Sequence, residues 1–218
     1  MSTRITPDSK SWFKAFRERE IAEALRGHAE SVVHRIEGES EEYLANVNEA
    51  AYLEHVLSDV QIVVPLLRLA ERHLTHEERK LPAAKVQGQH ALRPGTFVQR
   101  PVVTIHIPIT GEPGYFHCAP NNRMPWTTDV FIADGAMCFE LLGDAQNPAR
   151  TQQEMEEICG FLAKQAKSLE ADVLAYNVGL RGKILDLLRA RRQRILDRGT
   201  LAASLGVPIK RRSGVPDT

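Results

Sequence analysis

Asp129 and Glu140 flank the one segment of the sequence whose local chemistry fixes its geometry. Thr128 to Leu141 is two β-prone runs joined by Asp134-Gly135, the composition of a two-residue type I′ turn. That register sets Ala133 against Ala136, Ile132 against Met137, Phe131 against Cys138, Val130 against Phe139 and Asp129 against Glu140. Two facing carboxylates can hold a divalent metal or share a proton. A nuclease core of the restriction type would add a lysine two residues after the second acid, to polarise the scissile phosphate, but position 142 is leucine. The expectation is therefore two solvated, mildly repelling acids at the open end of a hairpin. A metal-dependent hydrolase built on Asp129, Glu140 and nearby histidines is a second alternative, after nucleic-acid binding.

Other groups suggest chemistry less strongly. In His73-Leu74-Thr75-His76-Glu77 one helical turn would put both rings on one face, but the zinc-protease pattern needs histidines four apart with Glu after the first. An exposed polar segment is the expectation there. His106, His117 and Cys118 would make a Cys–His nucleophile if the fold brought them together. The glycines at 111 and 114 precede a loop rather than a helix, so they do not make a phosphate cradle. No catalytic residue and no cofactor is assigned, and the expectation leans away from an enzyme.

A basic arm carries the remaining signal. Arg189, Arg191, Arg192, Arg194 and Arg198 fall in a helical pattern, followed by Lys210, Arg211 and Arg212. Such charges can neutralise nucleic-acid phosphates, although no aromatics interleave them for base stacking. They can equally pair with acids of the same chain or of a second copy. The whole chain balances 28 basic against 28 acidic residues, yet from Arg181 onward ten bases face three acids. The first 180 residues therefore carry a net charge of −7 and the arm +7.

These residues need elements to position them. Residues 10–37 read as an amphipathic helix on Trp12, Phe16, Leu25, Val32 and Ile36, with Gly38 as its stop. Ser40 is placed to cap a second helix, striped by Tyr43, Val47, Ala50 and Leu53. Gln61 to Leu67 suggests an edge strand, 70–100 an irregular polar stretch, and 111–126 a long loop. Val102 to Thr110 is the clearest strand, with Val103, Ile105, Ile107 and Ile109 on one face; Pro108 marks it as an edge or as its end. From Thr151 a helical stripe runs toward Gly199, with Thr151 and Glu154 as a capping box and an interruption expected near Asn177, Gly179 and Gly182. The expected fold is α+β: N-terminal helices, a small mostly antiparallel sheet with the hairpin at 128–141, and a long C-terminal helical region. A single domain spans 1–218, helical over 10–57, β-rich over 60–142, helical over 151–199 and basic over 200–218.

With 43 % hydrophobic and 26 % charged residues the composition is globular, which excludes global disorder. Its 3 widely spaced cysteines suit neither a disulfide framework nor a closed zinc site and favour a reducing compartment. The N-terminal 14 residues lack the apolar core of an export signal, and the apolar run Ile62–Leu67 is far too short to span a bilayer. A cytoplasmic protein with no membrane partner is expected.

Ile107-Pro108-Ile109-Thr110-Gly111-Glu112-Pro113-Gly114-Tyr115-Phe116, followed by Pro120, resembles an Ile-Pro-Phe-Thr-Gly-Asp-x-x-Leu-Phe-x-x-x-Pro signature. Leu201 to Arg212, preceded by the Arg191-Arg192 helix, is similar to the end of the same region. Both segments resemble the N-terminal region of poorly characterised bacterial multidomain proteins that carry a restriction-endonuclease-like or other effector domain in a defence-type setting. The resemblance covers roughly residues 30–212. It implies a regulatory, sensor, adaptor or oligomerisation module whose partners are a second copy or an effector; the charge of the basic helix, independently of the resemblance, offers nucleic acid as the alternative partner.

Overall fold

A computed structural model describes residues 10–82, 96–144 and 146–204. The fold is α+β, an antiparallel sheet with a long C-terminal helix. Among the described residues eight strands and four α-helices follow in chain order: β1 (Phe13–Lys14), β2 (Arg19–Glu20), α1 (Ile21–Gly38), α2 (Glu41–Asn46), α3 (Glu49–Val60), β3 (Leu66–Leu67), β4 (His73–Pro82), β5 (Phe97–Thr110), β6 (Cys118–Ala119), β7 (Asp129–Ala133), β8 (Ala136–Leu142) and α4 (Pro148–Ser204). The chain divides into two compact units, one of residues Met1–Arg26 with Ile62–Tyr176, the other of Gly27–Gln61 with Asn177–Thr218.

In the sheet unit the strand order is β1-β7-β8-β5-β3, with β4 also pairing β5. The hairpin has the expected register, Phe131 with Cys138, Ile132 with Met137 and Ala133 with Ala136. Asp134 at φ 49° and Gly135 at φ 72° supply the two left-handed residues that a type I′ turn demands. β5 is a central strand and not the expected edge: β8 lies on one side, β4 and β3 on the other. Pro108 is tolerated because its carbonyl accepts from the Arg68 amide at 2.8 Å, on the side where the neighbouring chain is broken between β3 and β4. Its missing N–H falls on that same side, where β3 ends at Leu67.

Two further expectations are corrected. Residues 10–20 are not the start of a helix. Phe13 pairs with Val130, the Ala15 amide donates to the Thr128 carbonyl at 3.0 Å, and Phe16 turns at φ 57° to donate to Phe116 at 2.8 Å. The helix begins only at Ile21. The stretch at 70–82 is not irregular either: β4 pairs all ten of its residues with β5, from His73 opposite His106 to Pro82 opposite Phe97.

Alternation along the strands gives the sheet two faces. On the inner face Ile105, Ile107, Met137, Phe139 and Leu141 pack with Ile158, Phe161, Leu162, Leu169 and Val173 of α4 in one apolar core, joined by Phe13, Phe16 and Phe116. Gly111 sits at its margin with φ 78°, where a Cβ would stand 2.3 Å from the Val64 carbonyl oxygen. Only glycine fits both that conformation and that approach.

In the helical unit Ser40 caps α2 by accepting from the Tyr43 amide, and Asn48 caps α3 by accepting from Ala51. Val32, Ile36, Leu44, Tyr52, Val56, Leu180, Ile184 and Leu188 are buried there. α4 runs unbroken past Asn177, Gly179 and Gly182 and ends at Ser204, beyond the expected stop at Gly199. A Cβ on either Gly179 or Gly182 would meet nothing within 4 Å, so these glycines face open space and cost only helix propensity, about 1 kcal/mol each. The interruption expected there does not occur. No helix of the described residues is long and apolar enough to cross a membrane.

Candidate functional site

The outer face of the sheet brings together several of the residues singled out by sequence, in new partnerships. Antiparallel pairing sets His106 between His73 on β4 and Cys138 on β8. The His73 and His106 rings stack with centroids 4.9 Å apart. His106 Nε2 lies 3.0 Å from the Thr75 hydroxyl and its Nδ1 lies 3.3 Å from Cys138 Sγ. A histidine therefore does meet a thiol, but the thiol is Cys138 rather than Cys118. Burial, then the neighbouring His73, lowers the His106 pKa, and burial pushes the Cys138 thiol up to about 11. A catalytic Cys–His pair needs the opposite shift on sulfur, toward thiolate. Neutral imidazole beside neutral thiol is a packing arrangement.

Asp129 and Glu140 each hold cations of their own. Glu140, its side chain 2 % exposed, accepts from Lys10 Nζ at 2.8 Å and from both terminal nitrogens of Arg79, at 2.8 and 3.1 Å. Glu140 and then Glu77 raise Arg79 above the usual guanidinium range, while burial opposes them. Asp129 pairs with Lys14 at 3.1 Å. The Glu140 carboxylate is thus engaged by an ammonium and a guanidinium, and that of Asp129 by an ammonium. Among the described residues, no group of three or more His, Cys, Asp or Glu is placed to hold a metal.

The remaining candidates separate. His73 and His76 fall on opposite faces because β4 is a strand, so the helical-turn geometry does not arise. His117 stacks on Phe13 and its Nδ1 lies 2.8 Å from a Glu18 carboxylate oxygen. Cys118 is fully buried and takes the Arg19 Nε at 3.1 Å; burial raises its pKa, with Arg19 opposing.

The basic arm lies in the helical unit, and its arginines face acids of that unit. Arg191 and Arg194 both pair with Glu37, Arg189 with Glu49, and Arg198 with Glu41 at 2.9 Å. Arg191 also donates to the Glu39 carbonyl at 2.7 Å. Arg192 donates Nε to the Leu44 carbonyl at 2.7 Å and Nη2 to Val47, closing the carbonyls at the end of α2. Lys210, Arg211 and Arg212 lie outside the described residues. Counting charge by segment explains the match: residues 27–61 hold eight acids against Arg35 alone, which equals the whole −7 of the first 180 residues.

One feature escaped sequence reasoning. At a corner of the sheet's inner face a cleft of about 400 Å³ opens between β4, β5, β8 and the first turns of α4. Leu74, Pro101, Val103, Ile105, Leu141 and Met155 form its apolar walls, and Gly143, Asp144, Thr151 and Gln152 also line it. Gly143 makes the closure: its amide donates to the Pro101 carbonyl at 2.8 Å, and a Cβ would stand 3.1 Å from the Pro101 ring. The missed signal is Leu74, an apolar residue in a charged strand that stays 57 % exposed.

No protein-family model, no curated protein and no solved structure matches the chain.

Proposed function

We propose that the chain is a non-catalytic regulatory module, a sensor or oligomerisation part that governs an effector in a defence-type setting. One observation carries the reading. The polar groups best suited to chemistry are engaged with one another, while an apolar cleft stands open on the other face of the sheet. Glu140 is held by Lys10 and Arg79, and Cys138 is kept as a thiol by burial. A cleft of about 400 Å³ with apolar walls has the dimensions and lining of a binding site. The effector and the defence setting rest on the resemblance of Ile107–Phe116 and Leu201–Arg212 to the bacterial multidomain proteins. Sedimentation velocity of the purified chain, alone and with an effector co-expressed from the same gene neighbourhood, tests the reading. Self-association or a stable complex is expected; a monomer that binds no such effector overturns it.

Nucleic-acid binding by α4 is the second reading. It is favoured by the side chains of Arg189, Arg194 and Arg198, which remain 61 %, 55 % and 65 % exposed in their ion pairs and so within reach of a phosphate. Arg191→Glu with Arg194→Glu then weakens binding and flattens its salt dependence. An absence of DNA or RNA retention at about 50 mM salt, where phosphate contacts are least screened, rules it out.

A further inference from the structure

β4 is a long free edge of the sheet. Among the described residues it pairs with β5 alone, and no hydrogen bond outside that ladder reaches its backbone. The direction of its spare groups follows from β5. There the Pro108 carbonyl accepts from Arg68 on the β3 side, and the Ile109 amide donates to Gly135 on the β8 side. The even-numbered residues of β5 therefore turn their backbone groups toward β4. They bond His73, Thr75, Glu77, Arg79 and Leu81, which stand opposite them. The amides and carbonyls of Leu74, His76, Glu78 and Lys80 point away from the sheet, and all four residues are exposed.

An open edge of this kind is a template for another strand. Edges are commonly blunted by charge and by proline, and β4 carries Glu78, Lys80 and Pro82. The signs of those charges decide what they exclude. Two like charges would repel every copy of themselves, whereas Glu78 and Lys80 are opposite in sign and lie two residues apart on one face of the strand. Neither makes an ion pair or a side-chain hydrogen bond among the described residues. On the other face Glu77 and Arg79 are engaged with each other, and Arg79 with Glu140.

We infer that β4 pairs antiparallel with β4 of a second copy, about a two-fold axis through Arg79. This register sets Glu78 opposite Lys80 of the second copy and Lys80 opposite its Glu78, each pair exchanging main-chain hydrogen bonds as well as charge. It sets His76 opposite Pro82, whose carbonyl takes the His76 amide. Directly opposite residues share a face, so the joined sheet keeps its two faces in step. Arg79 meets its counterpart on the axis with its charge already answered by Glu140 and Glu77. The neighbouring registers that keep the faces in step put Glu78 against Glu78 or Lys80 against Lys80, so charge selects among them. The pairing rests on reading the chain as an oligomerisation module and supplies the surface that such a module would use.

Sedimentation velocity of the full chain reads the pairing. The unaltered chain is expected to dimerise. Glu78→Lys alone, or Lys80→Glu alone, turns two symmetry-related attractions into repulsions and weakens self-association about tenfold or more. Mixing the two variants restores it, because every pair then joins opposite charges. So does Glu78→Lys with Lys80→Glu in one chain. Both side chains are exposed, so the variants fold, which circular dichroism checks. A dimer that neither reversal weakens overturns the edge pairing and leaves the oligomerisation reading standing. Weakening that mixing fails to restore overturns the register and with it the proposal. A monomer whose complex with an effector is lost in Glu78→Lys gives the edge to a foreign strand and overturns self-pairing, while the regulatory reading stands. A chain that neither self-associates nor binds an effector overturns both.

Discussion

The sheet unit and the helical unit use the same residue types in opposite ways. In the sheet unit both signs of charge mingle along β4, His73–Pro82 with Glu77, Glu78, Arg79 and Lys80, and ion pairs frame an apolar core built on Phe116, Phe139 and Leu162. In the helical unit charge is sorted by segment: the acids sit in 27–61 and the arginines in the second half of α4. Pairing there joins two segments of opposite net charge, so electrostatics specifies which segments dock, whereas in the sheet unit long-range pairs such as Lys10–Glu140 and Lys14–Asp129 accompany strands that backbone ladders already register. The zero net charge of the chain records this sorting.

The difference makes graded predictions. Phe139→Ala removes a 1 % exposed ring from the apolar core and is expected to cost about 3–5 kcal/mol in chemical denaturation, at any salt concentration. Arg192→Ala strips α2 of the donor to the Leu44 and Val47 carbonyls; a loss of about 1.5–3 kcal/mol is expected, with faster amide exchange confined to 27–61 and 177–204. Asn48→Ala removes the α3 cap and costs about 1 kcal/mol. If Arg192→Ala proved silent, the helical unit would be held by its apolar residues alone and the contrast would collapse.

Acid sharpens the comparison further. Hydrogen bonds from Arg194 and Arg191 hold the Glu37 carboxyl below its ordinary 4.5, with burial opposing, and Arg35 does the same for Asp59 against its ordinary 3.8. A lowered folded pKa means stability that is complete above the unfolded value and lost as pH falls through the folded one. Amide exchange in the helical unit should therefore accelerate as pH drops below about 4.5, once corrected for intrinsic rates. Both groups are substantially exposed, so this is the smallest of the effects.

Much of the fold was legible in the residues. Asp134-Gly135 announced the hairpin because few other dipeptides accept two left-handed positions. Ser40 announced α2. β4 was hidden because His-Leu-Thr-His-Glu-Glu-Arg-Lys is polar on both faces, and its pairing with β5 is a tertiary fact. Trp12 and Phe16 mimicked a helical stripe while serving a chain whose amides go to Thr128 and Phe116. The glycines of α4 looked like a break because propensity alone cannot register Leu180, Ile184 and Leu188, whose burial carries the helix through. Of the candidate site, the basic arm and Glu140 were visible as charges, but their partners were not. The cleft was invisible, since it depends on where Gly143 lets β8 close on Pro101.

Hydrogen exchange of the full chain at low salt and at about 1 M NaCl, where the Debye length shrinks to about 3 Å, tests the central contrast most directly. The account predicts faster exchange at high salt in Gly27–Gln61 and in Asn177–Ser204, with β5, β7 and β8 unchanged. Equal protection of both units at the two salt concentrations, or a loss confined to the strands, would contradict it.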